Sequence, residues 1–201
     1  MRADDSQDSP APQVPESRKQ GLPSNIQTLV RRFQNVEVPL VRPLAPPAEA
    51  VAEVATFAQQ PPERLFPHVR CPEGAVAGLL LFAGEWSQAH ELVDDRETPD
   101  GCYWHALIHR MEPDTANSDY WFRQVGRHAL FPLVLEAARG LARKHPDVGL
   151  RLPSEWNPSI FNSWCEEARE KPEEKRSQVV AAIHSAECHL LWNYSMEKAS
   201  D

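Results

Sequence analysis

The chain has 201 residues, 41% of them apolar and 25% charged, and a formal net charge of −8. That length fits one globular domain with appended segments, large enough to hold a core without covalent or metal staples. The acidic balance excludes nucleic acid as the main partner, because phosphate binding needs a basic stripe and only short pairs such as Arg31-Arg32 occur; no apolar run reaches the roughly 18 residues of a membrane span.

Residues 1–23 are rich in Ser, Gln, Asp and Pro and nearly free of apolar side chains, which predicts a disordered N-terminal tail. Met1–Gln20 has no apolar h-region and carries Asp4, Asp5, Asp8 and Glu16, so it reads as neither a secretory signal nor a transit peptide, and a cytoplasmic location is expected. Cys71, Cys102, Cys165 and Cys188 stand far apart with no C-x-x-C pair, the pattern of reduced thiols. Residues 24–72 read as short helices and a proline-rich extended arm. Ser24 is expected to cap a helix over Ile26–Phe33. Val36–Pro47 (VEVPLVRPLAPP) is expected to be extended, since the residue before a proline avoids helix. Pro47 suits the first turn of a helix to about Gln59.

Residues 73–201 read as a helical domain. Ala75–Phe82 is apolar, Gly84-Glu85 breaks the run, and Trp86–Val93 resumes it. Thr98 and Pro99 open a helix to Met111, and Asp114 caps Thr115–Val125, which Gly126 ends. Leu130–Lys144 follows, then a helix from Asn157-Pro158 to about Glu170, a break at Lys171-Pro172, and a last helix over about Glu173–Met196. With no alternating strand pattern, the predicted fold is all-α, an irregular bundle of antiparallel helical hairpins. Ala75–Val93, with Gly84 at its turn, Trp86 and Ala89, resembles about half of one tetratricopeptide unit, and no second copy occurs at that period. The resemblance implies a hairpin of similar packing and, through it, a groove for a protein partner.

Residues 103–128, YWHALIHRMEPDTANSDYWFRQVGRH, concentrate the chemically able side chains. The pattern W-H-x-x-x-H-R-x-E-x-D, then N-x-x-Y-W-F and G-x-H, is carried here by Trp104, His105, His109, Arg110, Glu112, Asp114, Asn117, Tyr120, Trp121, Phe122, Gly126 and His128. It resembles an uncharacterised family of small helical proteins, over about Leu79–Phe131, and implies no activity. At about 100° per residue, Trp104, Leu107, Ile108 and Met111 form one apolar stripe with His105, His109 and Glu112 on its flank. On the next helix Trp121 and Val125 are expected to face inward with Asn117 on their side. On the last, Val180, Ile183, Leu190, Leu191 and Tyr194 form the expected buried face, with Glu187 in its middle. A carboxylate there needs a partner, and His105, His109 and Arg110 are the ones on offer.

Two functions fit this pattern. One is a helical protein-binding or adaptor domain with a structural His/Glu/Trp network, in which Trp104, Arg110, Asn117, Tyr120 and Trp121 are candidates to line a ligand pocket. The other is a small metal-dependent enzyme, in which His105 and His109 bind a divalent metal ion from one helix face and Glu187, Glu112 or His128 completes the set. Ala106 stands where a zincin H-E-x-x-H helix carries its glutamate, so that signature is absent. No catalytic residue is assigned, and a divalent metal is the one cofactor the pattern admits, since no glycine-rich phosphate loop occurs. His184 and Cys188 form a weaker soft-metal pair, GEWSQAH (84–90) reads as packing, and 166–176 as a solvated face.

Overall fold

Side-chain caps and first-turn prolines set the helix boundaries in the residues that the computed structural model describes, 15–19, 21–42, 54 and 56–199. Thr98 Oγ1 accepts from the Gly101 amide, Asp114 Oδ1 from Asn117 and Asn157 Oδ1 from Ile160. Each bond satisfies an amide that a first helical turn leaves without a partner. The elements are α1 Glu16–Lys19, α2 Ser24–Phe33, α3 Pro62–Leu65, α4 Pro72–Ala83, α5 Trp86–Val93, α6 Pro99–Met111, α7 Thr115–Val125, α8 Phe131–Lys144, a 3-10 turn Pro146–Val148, α9 Pro158–Glu170 and α10 Lys175–Ser195. The protein is all-α. Among the described residues, β pairing is limited to one isolated bridge, Val69 with Lys198, and no helix is long and apolar enough to cross a membrane.

The helices expected after Thr98, Asp114 and Asn157 have the expected bounds, and Gly84 turns α4 into α5 with a left-handed φ of 86°. Three details differ from expectation. Ser24 is the first residue of α2 rather than its cap; Pro23 takes the cap position and makes no side-chain bond. Structure is present before residue 24: α1 forms, Leu22 is buried, and the Lys19 ammonium donates to Glu16 (2.7 Å) and Gln34 (2.8 Å). Composition averaged over a polar tail does not register one leucine and one lysine that meet α2. Single turns opened by proline, α3 and the 3-10 turn, are too short to show a period. The helix expected from Pro47 lies largely outside the described residues, as do residues 1–14 of the expected tail; residues 56–58 are helical.

α10 is the axis of the bundle and packs against α4, α6, α8 and α9. α6 is buried along its whole length from Gly101 to Met111. The close approach of α4 to both depends on glycine. A Cβ at Gly78 would run into the Trp192 indole and lie 2.8 Å from Cη2 of Trp104; one at Gly74 would lie 2.7 Å from Ser195 Oγ. The two tryptophans are held in turn, Trp104 Nε1 donating to Ser195 Oγ (3.1 Å) and Trp192 Nε1 to the Ala75 carbonyl (2.9 Å). Residues 36–42 run as the expected arm along α10: His189 Nε2 donates to the Val36 carbonyl (2.7 Å), the Val38 amide to Ser185 Oγ (3.0 Å), and the Arg42 amide to the Met111 carbonyl (3.0 Å).

Gly78→Ala should therefore lower stability by about 1–3 kcal/mol, because the inserted methyl overpacks two indoles that cannot both retreat. Thermal or urea unfolding measures this, and a variant as stable as wild type would show that α4 can shift outward freely.

Candidate metal centre

The two functional faces of α6 follow from its sequence spacing. Tyr103 and Arg110 are seven residues apart and share one side of the helix; His105 lies about 140° round from Arg110. On the first side the structure builds a buried polar network in which Arg110 Nη2 alone lacks a hydrogen-bond partner. Glu187 of α10 is fully buried, and its Oε2 accepts from Arg110 Nη1 at 2.5 Å. Its Oε1 accepts from the Tyr103 hydroxyl (2.6 Å) and from Trp156 Nε1 (3.3 Å). Arg110 Nε donates to Asn162 Oδ1 (2.6 Å), and Asn162 Nδ2 passes the chain on to Ser118 Oγ (3.0 Å) and Asp119 (2.7 Å). The guanidinium lies over the rings of Phe122 and Phe161. Burial acts most strongly and opposes the Arg110 charge, but Glu187, Cys165 and Tyr103 together outweigh it and the arginine keeps its proton more firmly than usual. Burial, reinforced by Glu187, holds the Tyr103 hydroxyl protonated well above its ordinary range.

On the second side of α6, three imidazoles converge. One ring nitrogen of each of His90, His105 and His109 lies within 4.8 Å of the others. His90 comes from α5 and faces its neighbours across the α5–α6 hairpin; His90 Nε2 and His105 Nε2 are 2.8 Å apart, one donating and the other accepting. His105 and His109, one turn apart, are stacked with centroids 4.8 Å apart, and Trp121 of α7 stacks on His105 at 4.0 Å. His105 Nδ1 and His109 Nδ1 are buried without a hydrogen-bond partner. Carboxylates surround the cluster: Glu112 Oε2 is 3.4 Å from His109 Nδ1, Glu112 Oε1 is 3.8 Å from His90 Nδ1, and Asp94 is 3.8 Å from His105 Nε2. Arg42 of the arm holds Glu112 Oε1 at 3.0 Å. Burial, then the neighbouring His109 and His90, pushes His105 down to about 4. Burial and His90 also lower His109. Both rings are therefore neutral and able to offer a lone pair at neutral pH.

Of the residues singled out in the sequence, His105, His109 and Glu112 do come together. Glu187 joins Arg110 instead of the histidines, because it faces the other side of α6 and both its oxygens are taken there. His128 belongs elsewhere too: its Nε2 is 2.8 Å from Asp100, its Nδ1 accepts from the Leu130 amide, and it packs on Tyr103 and Tyr194. The five pocket candidates do not line one pocket. Trp104 is buried against Ser195, Arg110 is committed to Glu187, and Trp121 is half-buried on His105. Tyr120 is 46% exposed beside Trp121. Asn117 is exposed and donates to Asp114 (2.7 Å); the inward face of α7 is Ser118, Phe122 and Val125. His184 and Cys188 are buried, with Sγ 3.7 Å from Nε2, and no third ligand joins them in a cluster among the described residues. The residue that sequence reading passed over is His90. Its distance along the chain from the turn at 94–98 does not match that of His105 or His109, so no local signal marks it, and the angle at which α5 and α6 pack brings it in. Neither family models, nor characterised proteins, nor solved structures yielded a match to this chain, so its function has to be read from these residues.

Two outcomes are expected. Glu187→Gln should destabilise the fold by about 3–5 kcal/mol in urea unfolding, since it strands the Arg110 charge in the core; a loss below about 1 kcal/mol would mean that water reaches the guanidinium. The second concerns pH. An unfolded histidine takes a proton near pH 6.5, whereas folded His105, facing His90, His109, Asp94 and Trp121, takes one only at about 4. Between those values the unfolded state binds more protons, so stability falls as pH falls. Urea midpoints should drop from about pH 6.5 toward 4 in wild type and drop less in His105→Gln; equal slopes would count against a neutral buried His105.

Proposed function

We propose that this is a helical metal-binding protein in which His90, His105 and His109 hold one divalent transition-metal ion. The observation that carries this reading is the convergence of three ring nitrogens within 4.8 Å. Two ligands of a tetrahedral ion at about 2.0–2.1 Å sit ~3.4 Å apart, between the 2.8 Å separating His90 Nε2 from His105 Nε2 and the 4.8 Å limit of the set. Imidazole sets suit zinc, copper, nickel or iron over magnesium or calcium. The missing partner of His105 Nδ1 supports the same reading, because a histidine buried for packing alone normally bonds both nitrogens.

Glu112 has the place of an outer carboxylate. Held by Arg42 and set against His109 Nδ1, it can fix the ring and raise its basicity. A bound ion would supply Lewis acidity at its open positions. The largest cavity described is lined by other residues, so the reading is metal binding and not turnover of a substrate. Four free, buried cysteines accord with a reducing compartment, and we place the protein in the cytoplasm on that ground. The α4–α5 hairpin is the feature that favours a protein-binding role, and metal at the adjoining α5–α6 seam is compatible with it.

Isothermal titration of metal-stripped, tag-free protein with Zn²⁺ tests the reading. One ion per chain is expected, with affinity falling roughly tenfold or more in each of His90→Ala, His105→Ala and His109→Ala, and unchanged in His128→Gln. No uptake by wild type, or uptake indifferent to His90, would overturn it.

A further inference from the structure

A cavity of about 690 Å³ lies between the arm (36–41), the α4–α5 turn and the ends of α9 and α10. Its size falls within the roughly 300–1,000 Å³ typical of small-molecule sites. Its walls are mainly apolar, with Leu81, Phe82 and Trp86 on one side and Ala168 and Ala181 on another. Two lining residues carry buried hydrogen-bond donors without a partner, Trp86 Nε1 and Arg169 Nε. Arg169 spends Nη2 on the Arg110 carbonyl at the end of α6. It forms no ion pair among the described residues. Burial, joined by the like charge of Arg110, loosens its hold on its proton, against the opposing influence of Cys165 and, more weakly, of the Glu166 carboxylate. Among the described residues Glu37 is the one acid lining the cavity, and it is exposed on the arm. A guanidinium partly withdrawn from water, with no carboxylate paired to it and an apolar space beside it, is electrostatically incomplete.

We propose that this cavity binds a small amphipathic monoanion, an apolar chain or ring bearing one carboxylate. The apolar body takes the Leu81, Phe82 and Ala181 walls, and the carboxylate supplies the acceptor and the negative charge that Arg169 lacks. The site is independent of the histidine cluster, so it stands whether or not metal binds there.

Decanoate, decanol and decyltrimethylammonium, each titrated calorimetrically into the full chain below micelle-forming concentrations, test the proposal. Saturable one-to-one binding of decanoate is expected, with decanol roughly tenfold weaker for want of a charged hydrogen bond and the cation weaker still. Arg169→Gln should bring decanoate down to the level of decanol, and Ala181→Trp, which fills the space, should remove both. Decanol binding as tightly as decanoate would overturn the carboxylate assignment on the unmutated chain, without reliance on a variant that fails to fold. No saturable binding, or binding unaffected by Ala181→Trp, would overturn the site itself.

Discussion

The Arg110 guanidinium and the Glu187 carboxylate meet at 2.5 Å in the middle of the bundle, and both are removed from water. Either charge alone would be untenable there. Their pairing requires α6 and α10 to pack in one register, and the remaining bonds draw in the rest: Tyr103 from α6, Trp156 from the segment before α9, Asn162 from α9 and, through it, Ser118 of α7. A buried ion pair adds little stability over an apolar replacement of the same shape. What this one supplies is a set of directional bonds that a sliding or rotated helix would break.

The same burial governs the opposite face of α6. Along Gly101–Met111 no side chain is left at the surface, so His105 and His109 are withdrawn from water, though less deeply enclosed than Arg110. There the physics takes the other branch. A buried imidazole can shed its proton and remain, whereas a guanidinium cannot and must find an anion. One helix thus carries a committed charge pair on one side and neutral lone pairs on the other, and that neutrality is what a metal ligand needs.

The arm joins these features. Its backbone is tied to α10 through His189 and Ser185 and to the end of α6 through Arg42. The Arg42 side chain then reaches Glu112, beside the histidines, while residues 36–41 wall the apolar cavity. A short extended segment touches both candidate sites because Val36, Val38 and Leu40 pack on the core and the helices it crosses give its amides and carbonyls their partners.

The amino-acid sequence by itself determined the longer helices from α4 onward and most of their ends. Caps at Thr98, Asp114 and Asn157, prolines in first turns and the glycine at 84 act through bonds spanning three or four residues, so neighbours along the chain suffice to settle them. The apolar stripe Trp104, Leu107, Ile108 and Met111 was legible for the same reason, as was the need of Glu187 for a partner. Which partner it took was decided by tertiary structure, although the seven-residue spacing of Tyr103 and Arg110 already placed them on a common side away from His105. Tertiary structure alone brought His90 to the histidine pair, turned Asn117 outward and Ser118 inward, and left Arg169 beside an apolar space with no ion pair among the described residues. These outcomes depend on the angle and register at which separate helices pack, quantities set by the sum of many distant contacts and written in no local stretch of the chain.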